Sequence, residues 1–151
     1  INGLAYGGGA VLASSLDIRV GCEHSSFRFL AAAYGRVNAT WSLPMQVGWP
    51  VAKELLFTAR VINAEESLAI GLLNHLVPCA QLTPFVTEMA KDIARNDPRM
   101  IGGIKELLIK GVGSEWLETY EAELEAREGH LKPTPVIEGF KEFLSRKEPR
   151  G

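Results

Sequence analysis

Apolar and polar positions divide the chain into two textures. Up to about residue 78 the apolar runs are short and broken by glycine, proline and polar turns. From Gln81 onward they recur at helical spacing over longer stretches. Residues Ile1–Ala5 read as the tail of a strand entering the turn Gly7-Gly8-Gly9. The apolar run Ala10–Leu16 behind it suits a buried helix. Alternation over Asp17–Val20 predicts a strand, Phe27–Phe29 a second, and Glu23–Ser26 the turn between them. Ser42–Gly48 and Val51–Thr58 predict two short helices, with Pro50 suited to the start of the second. Asn63 followed by Glu66 has the form of a helix cap, and that helix should stop at Gly71. Asn74–Val77 predicts one more short strand.

Beyond that point the pattern is helical. Thr83–Arg95 carries Phe85, Val86, Met89, Ala90 and Ile93 near helical spacing. Asp97-Pro98 reads as a cap followed by proline at the first helical position. The helix it opens runs through Ile101, Ile104, Leu107 and Leu108 towards Gly111. Ser114 starts another, with Leu117, Tyr120 and Leu124 as its apolar positions. Its many glutamates, Glu115 to Glu128, form a solvated face or, alternatively, a carboxylate cluster for a metal; the solvated face is the expectation. Lys132–Pro135 breaks the pattern, and Glu138–Lys147 predicts a last amphipathic helix. The chain is therefore read as α/β, with a mixed region over 1–78 and a helical region over 79–151.

Composition removes several function classes. Of the 151 residues 46% are hydrophobic and 23% charged, and the net charge is -2. This balance offers no basic stripe for nucleic acid, so no nucleic-acid partner is expected. No apolar run approaches the roughly 20 residues of a membrane helix, so no membrane partner is expected either. Cys22 and Cys79 match no metal spacing and read as free thiols in a reducing cytosol, with a disulfide or redox role as the alternative; the expected location is cytoplasmic by default. His24, His75 and His130 do not cluster, and no metal is expected. The chain opens at Ile1 and not at methionine, which suggests the C-terminal part of a longer subunit.

The chemistry concentrates at Gly7-Gly8-Gly9. Backbone N–H groups at a helix start lack partners inside the helix, and the helix dipole adds positive charge there. Such a turn can hold a polarised oxygen while glycine lets a substrate come close. A tight strand–helix junction with glycines for packing alone explains the same spacing, and both readings stand at this point. Dinucleotide and P-loop patterns are absent.

Ile1-Asn2-Gly3-Leu4-Ala5-Tyr6-Gly7-Gly8-Gly9, followed by Leu12-Ala13 and Asp17-Ile18-Arg19, resembles the signature of the crotonase superfamily, the enoyl-CoA hydratases and isomerases. The resemblance continues at Phe27, Gly35, Leu43, Val47-Gly48, Leu55–Thr58, Ala64-Glu65, Ala69–Leu72 and Val77-Pro78. It closes on Glu138-Gly139-Phe140, Phe143 and Arg146-Lys147. It implies the last part of a crotonase-like spiral of ββα turns, followed by a helical trimerisation region. It implies an acyl-CoA substrate whose thioester oxygen sits between two backbone N–H groups, one of them on Gly8. The other comes from an upstream loop. Coenzyme A enters as part of the substrate, so no separate cofactor is expected. The implied assembly is a homo-oligomer, a trimer or dimer of trimers. Phe143 and Arg146 on the last helix would reach a neighbouring subunit's CoA.

Two departures change the expected reaction. The positions of the two hydratase glutamates are held by Val11 and Ala31, and neither side chain transfers a proton. The segment between Gly35 and Leu43 is shorter than the usual pattern, with Arg36, Asn38, Thr40 and Trp41 where a glycine-rich turn is common. Tyr6, Gly7, Ala31, Asn38, Thr40 and Trp41 are the candidate substrate contacts. Bland alternatives are capping for Asn38 and Thr40 and core packing for Tyr6 and Trp41, and for Tyr34, a further candidate in the same region. Arg28 and Arg36 either meet a substrate carboxylate or are simply exposed. The leading expectation is an acyl-CoA enzyme that is not a two-glutamate hydratase; the alternative is a non-catalytic acyl-CoA-binding or assembly subunit.

Overall fold

A computed structural model describes residues 1–135 and 138. The expected last helix, with Phe143 and Arg146, falls outside the described residues. The chain divides into two units, residues 1–90 and 91–151.

The first unit carries strands β1 (Leu4–Tyr6), β2 (Val20–Gly21), β3 (Ser26–Arg28) and β4 (His75–Leu76). Between them lie helices α1 (Gly8–Ser14), α2 (Leu43–Val47), α3 (Trp49–Thr58) and α4 (Ala64–Ala69), and α5 (Cys79–Ala94) follows. The strands pair in parallel, β1 with β3 and β2 with β4. Parallel partners cannot share a tight hairpin, so the chain must cross over between them. Successive strands accordingly alternate between the two pairs. Phe27, Phe29, Leu43, Leu55, Ile62 and Leu72 are fully buried. Burial of each such side chain favours folding by about 1.5–3 kcal/mol. Phe27 and Ile62 exchange both backbone hydrogen bonds at 2.9 Å, which closes the chain over this core.

Arg19 is only 3% exposed. Its guanidinium donates to the carbonyls of Leu16 and Leu72 and to the side-chain oxygen of Gln46. It thereby ties the ends of α1 and α4 to α2. Burial lowers its affinity for the proton, and the Asp17 charge works against that. Arginine stays charged under such conditions, and its planar fork serves three acceptors at once.

Several boundaries differ from expectation for tertiary reasons. The strand expected over Asp17–Val20 is reduced to Val20–Gly21 because β4 supplies only two rungs, Val20 to His75 and Gly21 to Leu76. The Asn63 cap is present, its side chain accepting from the Glu66 N–H at 2.8 Å, and the helix ends at Ala69, just before Gly71 at φ +78°. Helix α5 starts at Cys79, four residues earlier than the pattern places it. The Glu23 carboxylate accepts the Cys79 N–H at 2.8 Å from 56 residues away, a cap no local sequence announces. Pro84 lies inside this helix, where it removes one N–H from the ladder.

The cysteines correct the free-thiol expectation. Cys22 and Cys79 form a disulfide with a Cα–Cα distance of 4.9 Å. The reason is register: Cys22 directly follows β2, Cys79 closely follows β4, and these strands are parallel partners. A separation of 57 residues hides that proximity in the sequence. Glu23 stands beside the bridge, its carboxyl held below the usual range by its own backbone N–H and that of Cys79. Both sulfurs are bonded to each other, so this cluster offers no thiolate to a metal.

The second unit holds α6 (Pro98–Lys110) and α7 (Trp116–Glu128). Asp97 caps α6 through the Arg99 N–H at 2.8 Å. Helix α7 is capped by Glu115 in a reciprocal box with Glu118, one residue later than the expected start at Ser114. The glutamates of α7 are exposed, as a solvated face requires. Gly103, Ala126 and Leu131 are buried in this unit, whereas Ile104, Leu108 and Trp116 are more than half exposed. Among the described residues no helix is long and apolar enough to cross a membrane.

Candidate active site

The end of β1 sets the position of the glycine turn. Gly7 takes φ +54° and ψ -118°, a conformation that disfavours any side chain. Its N–H donates to the Arg28 carbonyl at 3.0 Å, and its carbonyl accepts from the Val11 N–H at 3.1 Å. The chain is thus pinned to β3 on one side and turned directly into α1 on the other. Gly8 is the first residue of that helix, and among the described residues nothing accepts its N–H. Gly8 and Gly9 are exposed, and a side chain added to either meets nothing within 4 Å. Packing within this chain therefore gives no reason for glycine at those two positions.

Beside the turn lies a cavity of about 420 Å³ lined by Gly7, Leu30, Ala31, Tyr34, Arg36 and Asn38. Three of the expected contacts, Gly7, Ala31 and Asn38, meet here. Ala31 lies beyond β3, which ends at Arg28, and it opens a 3-10 turn over Ala32–Tyr34. Its carbonyl accepts from the N–H groups of Tyr34 at 3.0 Å and Arg36 at 2.8 Å, which folds the segment around the cavity. Asn38 does not cap α2, whose cap position is Ser42. Its Oδ1 is buried with no hydrogen-bond partner. A buried acceptor without a donor costs on the order of 1–3 kcal/mol.

Of the remaining candidates, Tyr6, Thr40, Trp41 and Arg28 fall outside the cavity lining, whereas Tyr34 and Arg36 belong to it. The Tyr6 hydroxyl bonds the Ser26 hydroxyl at 3.1 Å. Thr40 and Trp41 are exposed, and Trp41 is not in the core. Tyr34 is 72% exposed at the cavity wall, so core packing does not describe it either. Arg28 is spent on the Ala59 carbonyl at 2.7 Å. Arg36 is exposed and engages no carboxylate among the described residues. Sequence reasoning offered Arg36 either a substrate carboxylate or plain exposure, and it gave Leu30 no role; both residues line the cavity.

A profile of the enoyl-CoA hydratase/isomerase family matches residues 1–150. The chain belongs to this family. As a member of the enoyl-CoA hydratase/isomerase family it is similar to the methylmalonyl-CoA decarboxylase of Escherichia coli K12, at 30% identity over 99% of this chain and 59% of that protein. It is similar in structure to the enoyl-CoA hydratase of Bacillus anthracis, with a TM-score of 0.88 and 30% identity over 97% of this chain and 58% of that one. A Thermobifida fusca YX protein solved in complex with acetoacetyl-CoA gives a TM-score of 0.80 at 29% identity, covering 85% of this chain and 52% of that one. The crotonase-like fold expected from the glycine signature is thereby established. The chain spans between 44% and 60% of the length of the first curated relatives it matches.

Proposed function

We propose that the protein carrying this chain acts on acyl-CoA thioesters by stabilising an enolate, with the Gly8 N–H as one of two oxyanion donors. The carrying observation is Gly8 itself: an exposed, unengaged N–H at a turn whose missing side chains nothing in this chain explains. Preorganised donors aimed at developing charge are worth about 2.7–4 kcal/mol each in acyl-transfer sites. The related proteins named above carry names of a hydratase and a decarboxylase, and one was solved with acetoacetyl-CoA. Their chemistries share a thioester whose α-carbon takes negative charge. The second donor would come from outside these 151 residues. Gly7, Ala31 and Asn38 would line the acyl pocket, and Tyr6, Thr40 and Trp41 would act only at its margin. Coenzyme A would enter with the substrate, with no separate cofactor. Phe143 and Arg146 would serve a neighbouring subunit's CoA in a homo-oligomer.

Acetoacetyl-CoA tests this reading because its enolate has its own ultraviolet band. The full-length protein should bind it and strengthen that band. Gly8→Pro removes the donor at a helix position that tolerates proline. It should weaken the band while the fold, followed by circular dichroism, is kept. Absence of binding by the parent protein overturns the proposal. Binding without any enolate band favours the second reading, a non-catalytic acyl-CoA-binding subunit, for which the absence of a proton-transferring carboxylate or imidazole from the cavity lining speaks.

A further inference from the structure

We infer that Cys22, Cys79 and Glu23 form a metal site, one that holds a zinc-type divalent cation when the Cys22–Cys79 bridge is reduced and releases it when the bridge forms. Bridge and ion are alternative occupants of one place. That place belongs to the β2–β4 pair, not to the β1–β3 pair that carries the glycine turn.

Reduction leaves the two sulfurs side by side, because other bonds already hold their backbones. The ladder between β2 and β4 runs through Val20 with His75 and Gly21 with Leu76. The Val77 N–H extends it to the Gly21 carbonyl at 3.0 Å. At its other end the Arg19 N–H donates to Asn74 Oδ1 at 2.8 Å, and the Asn74 N–H donates to the Arg19 carbonyl at 2.8 Å. Cys22 is also fixed locally. Its N–H donates to the Ser25 hydroxyl at 2.8 Å, and its carbonyl accepts the Ser25 N–H at 2.8 Å. The Ser25 hydroxyl in turn donates to the Ile1 carbonyl at 2.7 Å. Glu23 reaches the same spot because its carboxylate accepts the Cys79 N–H at 2.8 Å. None of these bonds involves a sulfur.

One ligand atom from each of the three residues lies within 4.8 Å of the other two. Around a tetrahedral zinc ion, with bonds of about 2.3 Å to sulfur and 2.0–2.2 Å to oxygen, ligand atoms stand roughly 3.5–3.8 Å apart. Breaking the bridge lets the sulfurs open towards that separation, and the carboxylate has little further to close. In the reducing step a dithiol gives two electrons to the S–S bond and becomes a disulfide itself. Its two protons pass to the Cys22 and Cys79 sulfurs. The ion then binds both sulfurs as thiolates, and those two protons go to solvent. Two thiolates beside a carboxylate repel one another, and a divalent ion offsets most of that charge. Thiolates select zinc over magnesium and calcium, which prefer oxygen. Three protein ligands leave the fourth position to water. Cys22 is fully buried, Cys79 half-buried and Glu23 exposed, so the ion enters from the Glu23 side. In the reverse step a small-molecule disulfide takes the two electrons and, with two protons from solvent, becomes two thiols. The sulfurs rejoin and the ion leaves.

The experiment uses the full-length protein, freed of metal, with zinc chloride as the probe. One half of the sample is reduced with a phosphine under argon and the other is left oxidised. Equilibrium dialysis with metal analysis should find one more zinc ion per chain in the reduced half. Cobalt(II) in place of zinc should give a thiolate-to-cobalt charge-transfer band in the reduced half alone. Cys79→Ser should remove most of that band. Glu23→Gln should keep the band and weaken zinc binding by about tenfold or more, the least that losing a partner near a metal typically costs. Equal zinc in the two halves overturns the inference, and so does a reduced half that binds none. A band undiminished in Cys79→Ser puts the ion on other thiolates and overturns it too. Loss of the fold on reduction, followed by circular dichroism, also overturns it, because the site needs the intact β2–β4 pair. Unaltered zinc affinity in Glu23→Gln overturns the role of Glu23.

Discussion

The family resemblance implies that Val11 and Ala31 stand where proton-transferring carboxylates are expected, and their surroundings differ. Ala31 lines the cavity, so a longer side chain there would enter it. Val11 is half-buried against the core, where an ionised group would be desolvated. Ala31→Glu should therefore restore one carboxylate without its partner. Hydration of crotonyl-CoA by this variant should stay within about tenfold of the parent, since a lone, unplaced acid or base gives little of the usual gain. A spectrophotometric assay reads this directly, and efficient hydration by the variant would contradict it. That these two positions lack a carboxylate was legible in the sequence only through the family resemblance. The strain beside Asn38 was not. Ala39 is fully buried at φ +57°, a conformation that costs a non-glycine residue on the order of 1 kcal/mol. Alanine carries no turn signature, so only the fold reveals that the chain is bent sharply next to the unpartnered Asn38 oxygen.

Elements with local signals were read well. Asn63 and Asp97 cap α4 and α6 through side-chain oxygens within hydrogen-bonding distance of their own next turn. Both bonds are contained within four residues, which is why a local pattern suffices. Helix α5 behaves differently. Its start is determined by Glu23 and Cys22, more than fifty residues upstream, through a carboxylate cap and the bridge to Cys79. Local pattern reading instead started it at Thr83. The same bridge makes a prediction for this element. Closing a loop of 57 residues removes entropy from the unfolded chain worth about 4 kcal/mol. Cys22→Ser should lower the unfolding free energy by about 3–4 kcal/mol and make the melting temperature insensitive to dithiothreitol. Thermal melts of parent and variant, with and without reductant, check it. A parent melt unmoved by reductant would show that the bridge contributes nothing.

Across the whole molecule, alternation of the strands between two parallel pairs was only half legible. Turn and strand signals placed the strands, but nothing local tells which strand a crossover returns to. The second unit shows a complementary gap. Periodicity correctly marked Ile104 and Leu108 as apolar helix positions, yet within the chain both are mostly exposed. An apolar stripe of this kind calls for a covering surface. Residues 79–151 are accordingly expected to mediate self-association, as a trimer or dimer of trimers in the full-length protein. Sedimentation velocity checks this; a monomer at assay concentrations would contradict it. The Cys22–Cys79 bridge also bears on how the protein meets a protease. Any single cut between residues 22 and 79, the stretch that holds the cavity wall, leaves two fragments still tied together. On a non-reducing gel the nicked chain keeps its mass, and the damage shows only once a thiol is added.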